Sequence, residues 1–256
     1  MLKIERFAII EHELEKKGTL SIPHLSQMLN CSEETIRRDL KELESAGKLT
    51  RTRGGAHIAD KHDKSYSSTL RKVLFQEEKI SMATRAMHLI QDSDVLFLDS
   101  STTCLTLAEM ILNSSLSVTI VTNSLLICNL CNDQRNSNVN LVCLGGNFRW
   151  RSTSFIGYPA TDTLAGYHAD RAFVSCPKAT LAEGLSDNHL GEARVREGML
   201  RNATQRVLLM DHTKFDASAN ILFKGLDDVN IIITDEPLSP EWAAFCERKQ
   251  IRVYND

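Results

Sequence analysis

The sequence predicts an α/β protein in two parts: a small helical unit closed by a hairpin, then a larger, mostly parallel sheet layered with helices. Three observations predict it. Apolar residues recur at helical spacing between Ile4 and Leu43. A Lys-, Asp- and Ser-rich stretch, 60–69, then breaks the pattern. Beyond residue 71, short β-branched runs alternate with helical stretches to the end of the chain.

The 256 residues fit one to two domains at roughly 150 residues each. A hydrophobic share of 42% excludes a chain disordered throughout. No apolar run approaches the roughly 18 residues of a membrane span, and Met1 to Glu15 lacks the apolar core of a secretion signal. The seven cysteines are odd in number and scattered, which points to reduced thiols in a cytoplasmic protein. Cys128 and Cys131 sit one helical turn apart in an apolar stretch. Core packing and metal or redox chemistry are both open to them.

Each element follows in order. Ile4, Phe7, Ile10 and Leu14 mark one face of a first helix, which Gly18 ends. Ser21-Ile22-Pro23 opens a second, with Leu25, Met28 and Leu29 inside. Ser32 caps a third, Glu33 and Glu34 suit its dipole, and Ile36, Leu40 and Leu43 face inward before Gly47 stops it. Its outer face carries Thr35, Arg37, Arg38 and Lys41. A hairpin over 49–53 and 56–58, turning at Gly54-Gly55, completes a winged helix-turn-helix, residues 1–59.

Charge sharpens this reading. The net charge of −3 speaks against a protein coated in base. Yet from Thr35 to Arg53 six bases (Arg37, Arg38, Lys41, Lys48, Arg51, Arg53) face three acids (Asp39, Glu42, Glu44), giving +3 and leaving −6 elsewhere. A basic face within an acidic chain is the footprint of a DNA-binding module. The competing reading is a solvated helix whose bases pair with its own acids, Arg38 with Glu42 for example.

Residues 60–70 read as a linker and 71–256 as the second domain. Ile80, Ala83, Met87 and Ile90 mark a helix. Strands follow over 95–98, 118–122, 140–144, 171–175, 207–210, 229–234 and 251–254, with helices over 104–112, 124–131 and 192–204 among them. Parallel sheets bind ligands beyond the carboxyl ends of their strands, so the strand-to-helix turns are candidate sites. Asp99-Ser100-Ser101-Thr102-Thr103 places four hydroxyls at a helix N-terminus, which suits an anion or a simple cap. Thr122-Asn123-Ser124, Gly145-Gly146-Asn147 and Asp211-His212-Thr213-Lys214 are further polar turns, with Arg149 and Arg151 near the third.

These residues resemble the DeoR family of bacterial transcription regulators. The resemblance rests on Ser32-Glu33-Glu34-Thr35-Ile36-Arg37-Arg38-Asp39-Leu40 with Arg53-Gly54-Gly55-Ala56. It continues through Leu98 to Thr103, Thr122-Asn123-Ser124, Leu144-Gly145-Gly146, Phe155-Ile156-Gly157, Asp170-Arg171-Ala172-Phe173 and Asp211 to Phe215. It implies a second domain of the sugar-phosphate isomerase/CoA-transferase type that senses a phosphorylated sugar. It also implies repression of a catabolic operon, release of double-stranded operator DNA on effector binding, and a homo-oligomer, dimer or tetramer. No metal, cofactor, membrane or catalytic role is implied.

Carried over, Ser32, Thr35, Arg37, Arg38, Lys41, Lys48, Arg51, Arg53, Gly54 and Gly55 would meet DNA. Asp99 to Thr103, Asn123, Gly145, Gly146, Asp170, Lys178, Glu192, Asp211 and Lys214 would form the effector pocket. Ser101 stands where the family usually has Gly, and Ser175-Cys176-Pro177-Lys178-Ala179 replaces a Gly-rich stretch. If the first position needs a positive φ, Ser101 strains or reshapes the loop. An active sugar-phosphate isomerase with an appended DNA-binding module is the alternative, with Glu192 or Asp170 as base and Lys178 or Lys214 as electrophile.

Overall fold

The computed structural model describes residues 3–17, 19–45, 49–52, 54–58, 68–73, 75–134 and 136–255. Gly18, Gly47, Lys48, Arg53 and residues 60–67 of the expected linker lie outside them. The chain divides into two compact units, Met1–Leu74 and Phe75–Asp256.

The first unit runs α1 (Lys3–Lys17), β1 (Thr19–Ser21), α2 (Ile22–Leu29), α3 (Glu33–Ser45), β2 (Leu49–Thr52), β3 (Gly55–Ile58) and α4 (Ser68–Val73). Ser21 caps α2 by accepting from the His24 N–H, and Pro23 sits in its first turn. Asn30 ends it in the left-handed region, at φ 49°. Ser32 Oγ accepts from the Thr35 N–H at 3.2 Å. Ile10, Leu14, Leu25, Ile36, Leu40 and Leu43 form one buried core. Three residues of β1, too few to show alternation, pair antiparallel with β3, which pairs with β2.

One polar contact is built into this core. Asp39, one of the three acids in the charge count above, is buried, and Arg6 of α1 grips it in a forked bond, 2.6 and 3.1 Å. The Arg6 guanidinium is held above its ordinary value, first by that bond. The pair fixes α3 to α1 through a charged bond.

The second unit starts at Phe75, not at Arg71. Ser68–Val73 is a helix packed with α1, so the polar composition of 60–69 overextends the linker. The unit comprises α5 (Gln76–Met87), β4 (Val95–Leu98), α6 (Thr102–Leu112), β5 (Val118–Thr122), α7 (Leu125–Asp133), β6 (Val139–Cys143), β7 (Asn147–Arg149), β8 (Ser154–Ile156), α8 (Tyr158–Ala165), β9 (Ala169–Val174), β10 (Lys178–Thr180), β11 (Gly184–Asp187), α9 (Leu190–Arg201), β12 (Ala203–Leu209), β13 (Ile221–Lys224), β14 (Ile231–Ile233), α10 (Pro240–Lys249) and β15 (Arg252–Tyr254). Seven strands form one sheet in the order β15-β14-β12-β9-β4-β5-β6, and every pairing is parallel. Separate apolar cores back the sheet, one around Leu96, Leu98 and Ile120, another around Phe97, Ala172 and Met199.

The chain enters at β4, winds outward to β6, then returns to β9 on the other side of β4 and winds outward to β15. The direction reverses between β4 and β9, and the carboxyl ends of the strands at such a switch point are where open parallel sheets place a ligand crevice. A hairpin, β7–β8, and a small antiparallel sheet, β10-β11-β13, stand apart from the main sheet. The helix expected to reach Thr204 stops at Arg201, because Ala203 and Thr204 already belong to β12.

If the Arg6–Asp39 pair holds α3 in place, Asp39→Asn lowers the thermal midpoint of the first unit and leaves the second unchanged. Calorimetry on the full chain reads both.

Candidate functional sites: a basic helix face and a crevice at the strand ends

Arg37, Arg38 and Lys41 are exposed on α3, and Thr35 is half-buried beside them. Arg37 is engaged, with Glu33 at 2.7 Å and Glu34 at 3.7 Å. The pairing of Arg38 with Glu42 does not occur, since Glu42 pairs with Lys3 of α1. Among the described residues, Arg38 and Lys41 make no ion pair. They present two uncompensated charges one turn apart, together with Ser32 and Thr35, whose hydroxyls bond at 2.9 Å. On the wing, Glu44 accepts from both the Arg51 N–H (2.8 Å) and its guanidinium (3.0 Å), and the first bond holds its carboxyl below the ordinary value.

Gly54 and Gly55 differ. Gly54 is exposed with open space about it, but a Cβ on Gly55 would lie 1.9 Å from the Leu20 carbonyl. Gly55 is therefore required by the β1–β3 approach, whatever Gly54 does at DNA.

The crevice between β4 and β9 is built on one buried cation. Arg196 of α9 donates to Asp99 at 2.6 Å and to Asp187 of β11, and lies 3.7 Å from Glu192 one turn back. Asp99 follows β4, and its carboxylate also accepts the N–H groups of Ser101 (2.9 Å) and Ser175 (3.2 Å). It thus clasps the ends of both switch-point strands. Glu192 accepts three hydroxyls, Ser100 at 2.9 Å, Ser154 at 2.6 Å and Ser152. Arg149 of β7 reaches Ser152 at 2.7 Å and lies 3.7 Å from Glu192.

Burial pushes the Glu192 carboxyl up, but Arg196 and the three hydroxyls outweigh it and hold it at about 2. Burial likewise pulls the Arg196 guanidinium down, while Asp187, Asp99 and Glu192 together raise it above its ordinary value. Lys214 extends the network, donating to Ser175 Oγ at 3.0 Å and meeting Asp211 at 3.1 Å. Burial opposes ionisation of Asp211, and Lys214 and Thr213 overcome it. Lys178 joins through the Thr213 carbonyl at 2.6 Å.

The structure thus gathers Asp99, Ser100, Ser101, Lys178, Glu192, Asp211 and Lys214 around one crevice. Thr102 and Thr103 open α6 there, buried. Asn123 borders it through its bond to the Phe155 carbonyl, 3.0 Å. Gly145 and Gly146 take φ +66° and +115°, and a Cβ on Gly146 would strike the Ile156 carbonyl at 2.7 Å. This is how the hairpin is brought alongside.

Two expectations change. Asp170 is exposed and accepts from the Val95 N–H at 2.8 Å. Val95 begins β4, so Asp170 lies at the sheet's amino end, roughly 15 Å of strand away from Ser175. Nor are the four hydroxyls of 100–103 all open to an anion. Ser100 serves Glu192, and Ser101 caps α6 through the Cys104 N–H at 3.1 Å. Ser101 has φ −73°, so the departure from Gly brings a cap and no backbone strain.

Sequence reasoning missed Arg196, Asp187, Ser152, Ser154, Ser175 and His189. Two buried polar atoms at the crevice have no hydrogen-bond partner among the described residues: Asn123 Oδ1 and His189 Nδ1. Burial, then Arg149, keeps the His189 ring below its ordinary value, hence neutral at pH 7. Unmet groups of this kind call for a hydrogen-bonding partner.

A basic helix face in one unit and a polar crevice in the other define a ligand-responsive DNA-binding regulator. Comparison with known proteins gives the family. The DeoR-like helix-turn-helix domain matches residues 6–62 and the DeoR C-terminal sensor domain residues 74–236. The chain belongs to the DeoR family of transcription regulators. The HTH-type transcriptional regulator IolR of Bacillus subtilis is 31% identical over 253 residues, 99% of each chain. The lactose phosphotransferase system repressor of Lactococcus lactis is 34% identical over 248 residues, 94% of each. Ribose 5-phosphate isomerase A of Methanocaldococcus jannaschii overlaps 54% of this chain and 53% of its own, at 20% identity and a TM-score of 0.40.

The Glu192 shift sets a pH dependence. Its folded value, about 2, lies below the ordinary 4.5. The stability it contributes, about 3 kcal/mol, is present above pH 4.5 and lost as the pH falls toward 2. Glu192→Gln flattens the acid limb of the unfolding profile, measured by urea titration from pH 7 to 3.

Proposed function

We propose that this regulator represses a carbohydrate catabolic operon and leaves its operator when a phosphorylated sugar fills the β4–β9 crevice. The observation that carries the DNA half is the uncompensated pair Arg38 and Lys41, on a helix whose other charges are matched. Arg38 and Thr35 read base edges in the major groove; Arg37, Lys41, Lys48, Arg51 and Arg53 hold phosphates. A symmetric operator engages at least two copies.

The crevice supports the sensing half. Carboxylates anchored as acceptors suit sugar hydroxyls. Lys178, Lys214, Arg149 and the α6 N-terminus suit a phosphate. The names of the relatives agree, among them a lactose phosphotransferase system repressor and the B. subtilis transcriptional repressor GlcR. The same geometry argues against isomerase turnover. A carboxyl held at about 2 by three hydroxyls and a guanidinium is a weak base, far from the neutral value that proton abstraction favours. Asp170, the other expected base, lies at the opposite end of the sheet. No helix among the described residues is long and apolar enough to cross a membrane.

Two experiments test this. In gel shifts, Arg38→Ala costs about 1–3 kcal/mol and relaxes base preference. Arg37→Ala costs less, because Glu33 already neutralises it. Equal losses contradict the assignment. In thermal shift against a panel of sugar phosphates, a true effector at 100 times its Kd adds about 2.7 kcal/mol. It also frees the DNA, and Lys214→Ala loses both responses. A panel that leaves stability and DNA binding unchanged contradicts the sensing half.

A further inference from the structure

The polar turn Asp211-His212-Thr213-Lys214 is only partly used by the crevice. Asp211 and Lys214 pair with each other, and Thr213 bonds Asp211 and Lys178, but His212 turns elsewhere. Strands β12 and β14 are parallel neighbours in register, Leu209 beside Ile233, and the Met210 N–H donates to the Ile233 carbonyl at 3.0 Å. His212 and Asp235 therefore leave the carboxyl ends of adjacent strands side by side, with Glu236 next in the chain. Metal chemistry, left open for Cys128 and Cys131 by their spacing, finds its convergent ligand group here instead. Among the described residues it is His212, Asp235 and Glu236 whose ligand atoms all lie within 4.8 Å of one another.

His212 Nδ1 stands 2.6 Å from Asp235 Oδ2 and 3.7 Å from Glu236 Oε1. Donors held about 2.0–2.2 Å from one zinc-sized ion lie roughly 3.3 Å apart at tetrahedral angles. The two observed separations bracket that value. An ion can therefore take the place of the proton that His212 and Asp235 share, with small movements of exposed side chains. Asp235 is the fixed member. Its side chain is 5% exposed, against 38% for His212 and 62% for Glu236. Its other oxygen accepts the His212 N–H at 2.7 Å and the Thr234 hydroxyl at 3.2 Å. The Phe75 and His212 rings meet edge to face, centroids 6.1 Å apart, which orients the imidazole. A simple ion pair would need only His212 and Asp235. Glu236 brings a second carboxylate to the same nitrogen, beside one already shielded from water, and like charges so placed repel. A divalent cation removes that repulsion, since two carboxylates and a neutral imidazole balance its charge.

We propose that His212, Asp235 and Glu236 form a binding site for one first-row divalent transition-metal ion, with the remaining coordination positions left to water. The donor set indicates the class of ion. An imidazole beside carboxylates suits zinc, cobalt or nickel better than magnesium or calcium, which take oxygen ligands, and the group holds no sulfur for copper(I). Three protein ligands leave such an ion open to water or to a ligand oxygen. The ion clamps the end of β12 to the end of β14, directly before the Thr213-Lys214 segment that reaches Lys178 and Ser175. The site goes beyond the sugar-phosphate reading and does not rest on it.

The test uses the full chain, freed of metal with a chelator and then dialysed. Cobalt(II) is titrated in at neutral pH in excess Mg2+ and followed by visible absorption, and zinc is added to displace it. The expected result is one equivalent of cobalt bound without a sulfur-to-cobalt charge-transfer band, displaced by one equivalent of zinc. Zinc also raises the thermal midpoint, because it binds the folded chain. Glu236→Gln, at an exposed position, keeps the metal-free midpoint and weakens cobalt binding at least about tenfold. His212→Ala abolishes saturable binding, and Cys128→Ser leaves it unchanged. Cobalt that does not saturate on the wild-type chain, that binds His212→Ala or Glu236→Gln as tightly as wild type, or that shows a sulfur band overturns the proposal. Neither DNA nor a sugar phosphate is present, so the outcome is independent of the sensing reading.

Discussion

The second unit depends on one guanidinium. Arg196 is buried among Asp99, Asp187 and Glu192, and each carboxylate belongs to a different segment: the β4–α6 turn, β11 and the start of α9. Without it, three carboxylates would share a water-poor crevice and some would have to take up protons. Removing one partner of such a cluster typically costs about 3–5 kcal/mol, because the remaining charges stay buried. The cluster's role is more than cohesion. It fixes Asp99 across the ends of β4 and β9 and Glu192 beneath the hairpin serines.

The two units use buried charge in the same way and for the same purpose. Arg6 and Asp39 hold α3 against α1, so that Arg38 and Lys41 face outward. Arg196 holds Asp99, Asp187 and Glu192, while Asn123 Oδ1 and His189 Nδ1 nearby are left without a partner among the described residues. In both places strong internal pairing leaves a few groups uncompensated, and those groups are the ones available to a partner. The charge split of +3 and −6 read from the sequence counts Asp39 with the other acids of that segment, regardless of burial. With Asp39 withdrawn into the Arg6 pair, the outward face of α3 is more basic than that sum suggests.

Much of the architecture was legible in the sequence. The seven strands of the main sheet alternate with helices and are rich in β-branched residues, and all seven appear where the runs occur. The helix-turn-helix was legible from caps and spacing. What stayed hidden has physical reasons. Strands β1, β7, β8 and β10 have three residues each and, unlike the equally short β14, carry no run of β-branched residues. Arg196 sits in Glu192-Ala193-Arg194-Val195-Arg196-Glu197, which reads as an ordinary charged surface. Only the fold turns Arg196 inward while Arg194 and Glu197 pair outside at 2.7 Å. Ser152 and Ser154 gain meaning from a carboxylate some forty positions away in sequence. Asp170 was drawn in by the family likeness, yet a residue that opens a parallel strand lies at the end opposite Asp99 and Ser175.

The central claim is that the forked geometry of Arg196, and not just its charge, organises the effector crevice. Arg196→Lys tests it most directly, since lysine keeps the cation but cannot bridge Asp99 and Asp187 with a planar fork. The measurement is sugar-phosphate-induced thermal stabilisation of the variant beside the wild-type chain at neutral pH. The account predicts a folded variant whose ligand-induced stabilisation is lost. A variant stabilised by the same sugar phosphate to the same extent as the wild type would contradict it.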